Sequence, residues 1–370
     1  MRTLSEARRL IVKIGSSLLV DDATGHIRRA WLDSLCDDIA RFRRRGQEVM
    51  IVSSGAVAVG RRQLGLKPPL RLEEKQAAAA CGQIRIAHAY QDALAHHGLT
   101  VAQVLLTLDD SEARRRYLNA RTTLDTLLRL GAVPVINEND TVATAEIRFG
   151  DNDRLAARVA QMVSADVLVL FSDIDGLYTA NPRTNPGARF IPEVRDLTPE
   201  IEAMAGDPGS AYGSGGMVTK LTAARICLSA GCRMAITQGT PHHPLQAIED
   251  GGRCTWFVPS AEPRTARKQW INGSLKPAGA LMLDGGAVAA LGAGRSLLPA
   301  GVTAVDGEFE RGDCVLVKDG GGRVLGRGLV AYSSGDARAI IGRKSSEIEA
   351  ILGFRGRDEL IHRDDLVVEG

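Results

Sequence analysis

Tyr212-Gly-Ser-Gly-Gly-Met-Val-Thr-Lys-Leu221 is the stretch on which the reading of this chain turns. Gly213, Gly215 and Gly216 leave the backbone free to turn its N–H groups toward an anion. Thr219 and Lys220 follow, and the apolar-periodic run from Leu221 to Leu228 predicts a helix. Backbone donors, a helix N-terminus and a lysine converge on one point, as a polyphosphate requires. The spacing is not G-x-x-x-x-G-K-[ST], and no strand immediately precedes it. Phosphate binding therefore stands without the P-loop architecture.

Outward from this loop, short β-branched runs alternate with longer amphipathic stretches. Leu10–Ile14, Glu48–Val52, Val101–Leu106, Val133–Ile136 and Asp166–Phe171 read as buried strands. Trp31–Arg45, Glu73–His97, Glu112–Leu130 and Asp153–Val163 read as the helices between them. Strands separated by helices predict an α/β fold with parallel pairing and right-handed crossovers. Arg233–Thr237 and Thr255–Val258 complete the sheet, and Tyr178–Gly187 reads as a loop. Beyond Arg264–Pro277 the texture changes to Gly-rich turns and short strands at Ala280–Leu283, Val302–Val305, Cys314–Val317 and Val324–Val330. A helix at Ser346–Leu352 and the tail Glu359–Leu366 close this smaller β-rich part. The expected division is a first domain over 1–262, a linker over 263–276 and a second domain over 277–370.

Composition agrees with this plan. The chain has 370 residues, 44% hydrophobic but only 4% aromatic, so its core is built from Ala, Val, Leu and Ile. A net charge of +2 gives no global pull toward nucleic acid. Six cysteines without a C-x-x-C pair predict reduced thiols in a cytoplasmic protein. The pairs His96-His97 and His242-His243 lie near no second cluster of ligands, so no metal site is assigned. No signal core and no run of membrane-spanning length is present.

Polar sites gather at predicted strand ends, where open α/β sheets bind ligands. Lys13, followed by Gly15, can meet a transferring phosphoryl group, or can simply snorkel from a strand end. Ser53 and Ser54, with the N–H groups of Gly55 and Ala56, form an anion cradle or an ordinary helix cap. In Asn137-Glu-Asn-Asp140, Asp140 can pair with an ammonium group and Asn137 can hydrogen-bond a carboxylate; the alternative is a solvated loop. Asp151 or Asn152 caps the next helix, or Asn152 binds substrate while Asp153 orients lysines. Ser172 and Asp173 follow the strongest strand, at the place of a ribose or base, unless Asp175-Gly176 marks only a turn. Lys13 and Lys220 can neutralise charge on the equatorial oxygens of a loose phosphoryl-transfer transition state. An acceptor that is already an anion needs no catalytic base, which favours a carboxylate over an alcohol.

VKIGSS at 12–17, IVSSGAVAVG at 51–60, VPVINENDTVATAE at 133–146, FGDND at 149–153, SDIDGLYTANPR at 172–183 and SGGMVTKL at 214–221 together resemble the amino-acid kinase family. INEND with GDND is similar to its glutamate-phosphorylating branch. The resemblance implies a three-layer α/β/α fold with a mainly parallel sheet. It implies transfer of the γ-phosphoryl of ATP to the side-chain carboxylate of L-glutamate, giving L-glutamyl 5-phosphate, the first step of proline biosynthesis. Carried over, Lys13 and Lys220 contact the phosphates and stabilise the transition state, with Asp153 organising them. Ser54, Asp140 and Asn152 bind glutamate; Ser172, Asp173, Ser214, Gly215, Gly216, Met217, Val218, Thr219 and Lys220 lie by ATP. Ser172 and Ser214 stand where threonines are associated with the family, and both keep a hydroxyl. The resemblance also implies Mg²⁺ carried on the nucleotide phosphates, feedback inhibition by proline through the loop between Asn137 and Gly150, a dimer or tetramer, and docking of the next pathway reductase.

The second part resembles a PUA domain, on Ser296-Leu-Leu-Pro-Ala-Gly-Val302, Gly307-Glu-Phe-Glu-Arg-Gly-Asp313 and His362-Arg-Asp-Asp365. PUA domains elsewhere bind RNA. Here Phe309, Tyr332 and Phe354 are scattered, which favours a structural or regulatory role over RNA binding.

Overall fold

In Arg9-Leu-Ile-Val-Lys-Ile14 alternate side chains point to opposite faces, so a strand sends Leu10, Val12 and Ile14 one way and Ile11 and Lys13 the other. That is β1 (Arg9–Ile14) of a computed structural model that describes residues 4–142, 152–205, 216–274 and 276–368. The chain divides into two compact units, Met1–Pro263 and Arg264–Gly370.

In the first unit β1 is joined by β2 (Glu48–Ser53), β3 (Val101–Leu106), β4 (Val133–Glu138) and β5 (Val167–Ser172). A short hairpin of β6 (Leu177–Tyr178) and β7 (Phe190–Ile191) stands apart; β8 (Glu193–Val194), β9 (Arg233–Gln238) and β10 (Cys254–Phe257) follow. The sheet order is β3-β4-β2-β1-β5-β9-β10-β8. Within that order β3, β4, β2, β1, β5 and β9 run parallel, as expected. β10 departs from the expected pattern and runs antiparallel to β9. The helix between them, Pro244–Glu249, is one and a half turns long and rises about 9 Å. A strand of β9's six residues is about 20 Å long, so that helix does not carry the chain back to the start of a parallel strand. The expected Tyr178–Gly187 loop holds from Thr179 on, Tyr178 itself belonging to β6; β6, β7 and the edge strand β8 are too short to leave a periodic signal.

Each face of the sheet carries its own core. Leu10, Val12 and Ile14 pack with Leu32, Leu35, Ile39 and Phe42 of the Arg29–Arg44 helix and with Ile86 and Tyr90 of the Leu72–Ala95 helix. Ile11 packs with Leu155, Ala156 and Val159 of the Asn152–Met162 helix and with Leu221, Ala223 and Ala224 of the Met217–Ser229 helix. The Ala56–Gln63 and Leu72–Ala95 helices approach backbone to backbone. A Cβ on Gly60 would lie 1.7 Å from the Ala78 carbonyl oxygen, and one on Gly82 1.9 Å from that of Ala56. β1 is the switch point: the chain proceeds from it toward β2 on one side and returns to pair it with β5 on the other. Ligand crevices of open α/β sheets lie at such points, beyond the carboxyl ends of the strands.

The second unit has a five-stranded sheet, β12-β11-β13-β14-β15, from β11 (Gly279–Leu283), β12 (Val302–Gly307), β13 (Cys314–Lys318), β14 (Val324–Leu329) and β15 (Leu366–Val368). The stretch expected as a linker holds a helix, Pro263–Ser274, whose Ile271 packs with Cys314 and Leu329. Arg267 of that helix donates through Nε (3.0 Å) and a terminal nitrogen (2.6 Å) to Asp365 Oδ1, and both side chains are buried. Two further helices, Gly285–Gly292 and Ser334–Ile340, were not anticipated. Phe309 and Tyr332 belong to this unit's core, while Phe354 is exposed. Among the described residues no helix is long and apolar enough to cross a membrane.

Candidate active site

Lys13 lies on the same face of β1 as Ile11, beneath the helices Asn152–Met162 and Met217–Ser229. Each of those helices presents one charged residue from its first turn to Lys13. Asp153 Oδ1 lies 2.6 Å from Lys13 Nζ, and its Oδ2 lies 3.2 Å from Lys220 Nζ. The Thr219 hydroxyl lies within hydrogen-bond reach of two acceptors, Asp153 Oδ2 (3.0 Å) and the Gly216 carbonyl (2.8 Å), either of which can take its one proton. All three charged side chains are buried: Lys13 is 7%, Asp153 1% and Lys220 6% exposed. Buried charges persist only when paired, so this carboxylate between two lysines is a built arrangement and not a chance surface contact. Burial pushes the Asp153 carboxyl up, but Lys13 and Lys220 outweigh it and hold it at about 2. Its place at a helix N-terminus adds to that preference for the anion. The ambiguity over Lys13 is thus resolved against a snorkelling side chain. A Cβ on Gly15 would sit 3.9 Å from Lys13 Nζ, so the missing side chain keeps the approach to this ammonium open.

Beside the clamp lies a cluster of amides. After β2 the chain turns through Gly55, at φ 108°, into the Ala56–Gln63 helix. Asn152 Nδ2 donates to Ser54 Oγ (2.7 Å), Asn137 Oδ1 (2.9 Å) and the Ser53 carbonyl (3.2 Å). Asn137 Nδ2 in turn donates to Gln83 Oε1 at 2.7 Å. Ser53 Oγ and the Tyr90 hydroxyl lie 3.1 Å apart. Asn152, the first residue of its helix, ties β2 and β4 to the helix that carries Asp153.

Asp140, two residues beyond β4, is half-buried and its pKa is raised to about 7, by burial first and then by the charge of Glu138. A carboxylate held under those conditions favours a cationic partner. Ser172, at the end of β5, is buried, and its hydroxyl donates to Asp173 Oδ1 at 3.2 Å. Asp173 is exposed and ion-paired with Arg183 at 2.8 Å; burial raises its pKa, and the Arg183 hydrogen bond leads the opposing effects, leaving it net lowered. Gly216, Met217, Val218 and Thr219 lead into and open the helix that bears Lys220. Ser214 and Gly215 lie outside the described residues, as do Asp151 and most of the loop between Asn137 and Gly150.

Sequence reasoning missed Gln83, Tyr90 and the two acceptors of Thr219. Gln83 did leave a signal. It shares the helical stripe Ala79, Gln83, Ile86 and Tyr90, otherwise buried and largely apolar, and a polar residue on such a face calls for a partner.

The parallel sheet with a lysine clamp at the carboxyl end of β1 has the form of an α/β phosphoryl-transfer protein. Residues 8–238 match the Amino acid kinase family, and the chain belongs to that family. Residues 279–352 match the PUA domain. The chain is 81% identical to the glutamate 5-kinase of Paramagnetospirillum magneticum over 370 residues, all of both chains. It is 63% identical to that of Rhodospirillum rubrum, covering 97% of this chain and 96% of the relative. With that of Paracoccus denitrificans the identity is 60%, over 99% and 98%.

Proposed function

We propose that the protein is an ATP-dependent kinase that phosphorylates the side-chain carboxylate of L-glutamate, forming L-glutamyl 5-phosphate at the entry to proline biosynthesis. The observation that carries this reading is the clamp of Lys13, Asp153 and Lys220 at the sheet's switch point, one residue away from the amide cluster of Asn152. The names of its relatives, at 60–81% identity over nearly full length, point to the same activity.

Lys13 and Lys220 hold the triphosphate and offset charge on the transferring phosphoryl oxygens. Asp153 fixes both ammonium groups, so little reorganisation accompanies the reaction. Ser54, Asn152 and Asp140 hold glutamate, and Ser172, Asp173 and the 214–220 segment hold the nucleotide. A carboxylate oxygen attacks the γ-phosphorus and forms the new P–O bond. The bond from phosphorus to the β,γ-bridging oxygen breaks, and ADP leaves with that electron pair. No proton moves, and no base is required. The described residues do not suit a protein-held Mg²⁺. None of them form a group of three or more carboxylate, imidazole or thiolate ligands, and both oxygens of Asp153 face lysines. Mg²⁺ belongs to the nucleotide in this reading, and no step runs through it.

Proline inhibition, a homo-oligomer, hand-over to the next reductase and a cytoplasmic setting complete the proposal. Purified protein with glutamate, ATP, Mg²⁺ and hydroxylamine is expected to yield γ-glutamyl hydroxamate. A folded protein that binds ATP and yields none defeats it.

A further inference from the structure

The amides around Asn152 form a relay with one direction and two unfilled ends. The Ser53 carbonyl only accepts, so the Asn152 atom facing it, at 3.2 Å, is Nδ2. Asn137 must then turn Oδ1 toward Asn152 and Nδ2 toward Gln83 Oε1. Reversing any amide would set two acceptors or two donors against each other. Gln83 is left with Nε2, a donor, and Asn152 with Oδ1, an acceptor. Both atoms are sealed from solvent and have no partner among the described residues. Gln83 is 7% and Asn152 4% exposed. Buried polar groups are rarely left unpaired, and an unpaired donor at one end of the relay with an unpaired acceptor at the other suits a ligand that brings the opposite pair.

We infer that the Gln83–Asn137–Asn152 relay reads the α-amino-acid end of the acceptor, with Gln83 Nε2 donating to its α-carboxylate and Asn152 Oδ1 accepting from its ammonium group. This rests on the reading of the acceptor as L-glutamate. Gln83 becomes a substrate-positioning residue that sets specificity for a free α-carboxylate, while Asp140 supplies the countercharge for the ammonium. The acceptor class is an unblocked α-amino dicarboxylic acid. An α-amide offers Gln83 a donor on one face and a weaker, uncharged acceptor on the other, and is discriminated against.

The test is hydroxamate trapping with L-glutamate and with its α-amide, L-isoglutamine, on wild-type protein and Gln83→Glu. The substitution keeps the acceptor for Asn137 and replaces the free donor by an acceptor. KM for L-glutamate is expected to rise about tenfold or more, as for a lost hydrogen bond to a charged group. KM for ATP stays within about twofold, and the ratio of kcat/KM shifts toward isoglutamine. A merely structural role would not favour the amide. A variant that treats glutamate as wild type does, or that gains nothing on isoglutamine, overturns the inference. Gln83→Met keeps the shape without the donor; it is expected to show the same rise in KM for glutamate, and an unchanged KM overturns the inference even if the Glu variant fails to fold. Wild-type protein that makes no hydroxamate from glutamate removes the underlying reading, and the inference with it.

Discussion

Asp140 and Asp153 are both aspartates near the carboxyl ends of the sheet, yet their surroundings drive them apart. Asp140, with burial and Glu138 against it and a pKa raised to about 7, is protonated below that pH and ionised above it. Only the ionised form attracts the α-ammonium of glutamate. The kcat/KM for glutamate is therefore expected to rise as pH increases through about 7, since this parameter reports the free enzyme. Asp140→Asn should flatten that rise and increase KM for glutamate while leaving KM for ATP near wild type; steady-state profiles from about pH 5.5 to about 8.5 (roughly one and a half units either side) check it. Asp153 behaves oppositely. Its folded pKa of about 2 lies below the ordinary 3.8, so the folded state binds that proton less readily than the unfolded chain. The stability it contributes is present above 3.8 and is lost as pH falls through about 2. Asp153→Asn leaves two buried lysines without their shared anion. It is expected to lower kcat by about 10²–10³ and to cost about 3–5 kcal/mol in denaturant unfolding near neutral pH. The stability gap to wild type should narrow as pH drops below 4 (about the ordinary carboxylate range).

At the scale of elements, the close crossing of the Ala56–Gln63 and Leu72–Ala95 helices is what seats Gln83 against Asn137. Gly82→Ala would put a methyl 1.9 Å from the Ala56 carbonyl, and backbone cannot yield as a flexible side chain does. The expected cost is about 1–3 kcal/mol, read by thermal or denaturant unfolding, with KM for glutamate rising more than KM for ATP. This crossing also marks the limit of what the sequence discloses. The strands from Leu10 to Phe171 are legible because β-branched runs alternate with amphipathic helices, and the placement of Lys13 opposite Leu10, Val12 and Ile14 follows from the two-residue period. The meeting of Lys13, Asp153 and Lys220 follows once both helices cover that face. The antiparallel β10, the two-residue strands and the Gly60–Gly82 contact depend on connection geometry and on distant backbone, which no local period encodes. The Pro263–Ser274 helix falls where the change of texture near Arg264–Pro277 predicts a linker; Ile271 and Arg267 nonetheless bury themselves in the second unit.

Over the whole molecule, every described residue assigned to the clamp, the relay and the nucleotide side lies in Met1–Pro263. The second unit keeps its own core and its own buried ion pair, Arg267 with Asp365. Asp365→Asn removes the carboxylate to which buried Arg267 donates and is expected to destabilise the second unit by about 3–5 kcal/mol, as an early step in denaturant unfolding. Hydroxamate formation measured before that step should remain within about twofold of wild type. Loss of activity in parallel with that early step would show that the small unit governs the kinase unit.

Asn152 and Asp153 are consecutive residues at the head of one helix, one joined to the relay and the other to the lysines. A single peptide bond therefore links the amide relay to the lysine clamp, the proposed seats of acceptor and nucleotide. If one substrate shifts that helix tip, thermodynamic reciprocity makes the effect on the other equal in both directions. On the proposed function, the two substrates are expected to be coupled through the first turn of that helix, which binding of each measured at saturating levels of the other checks.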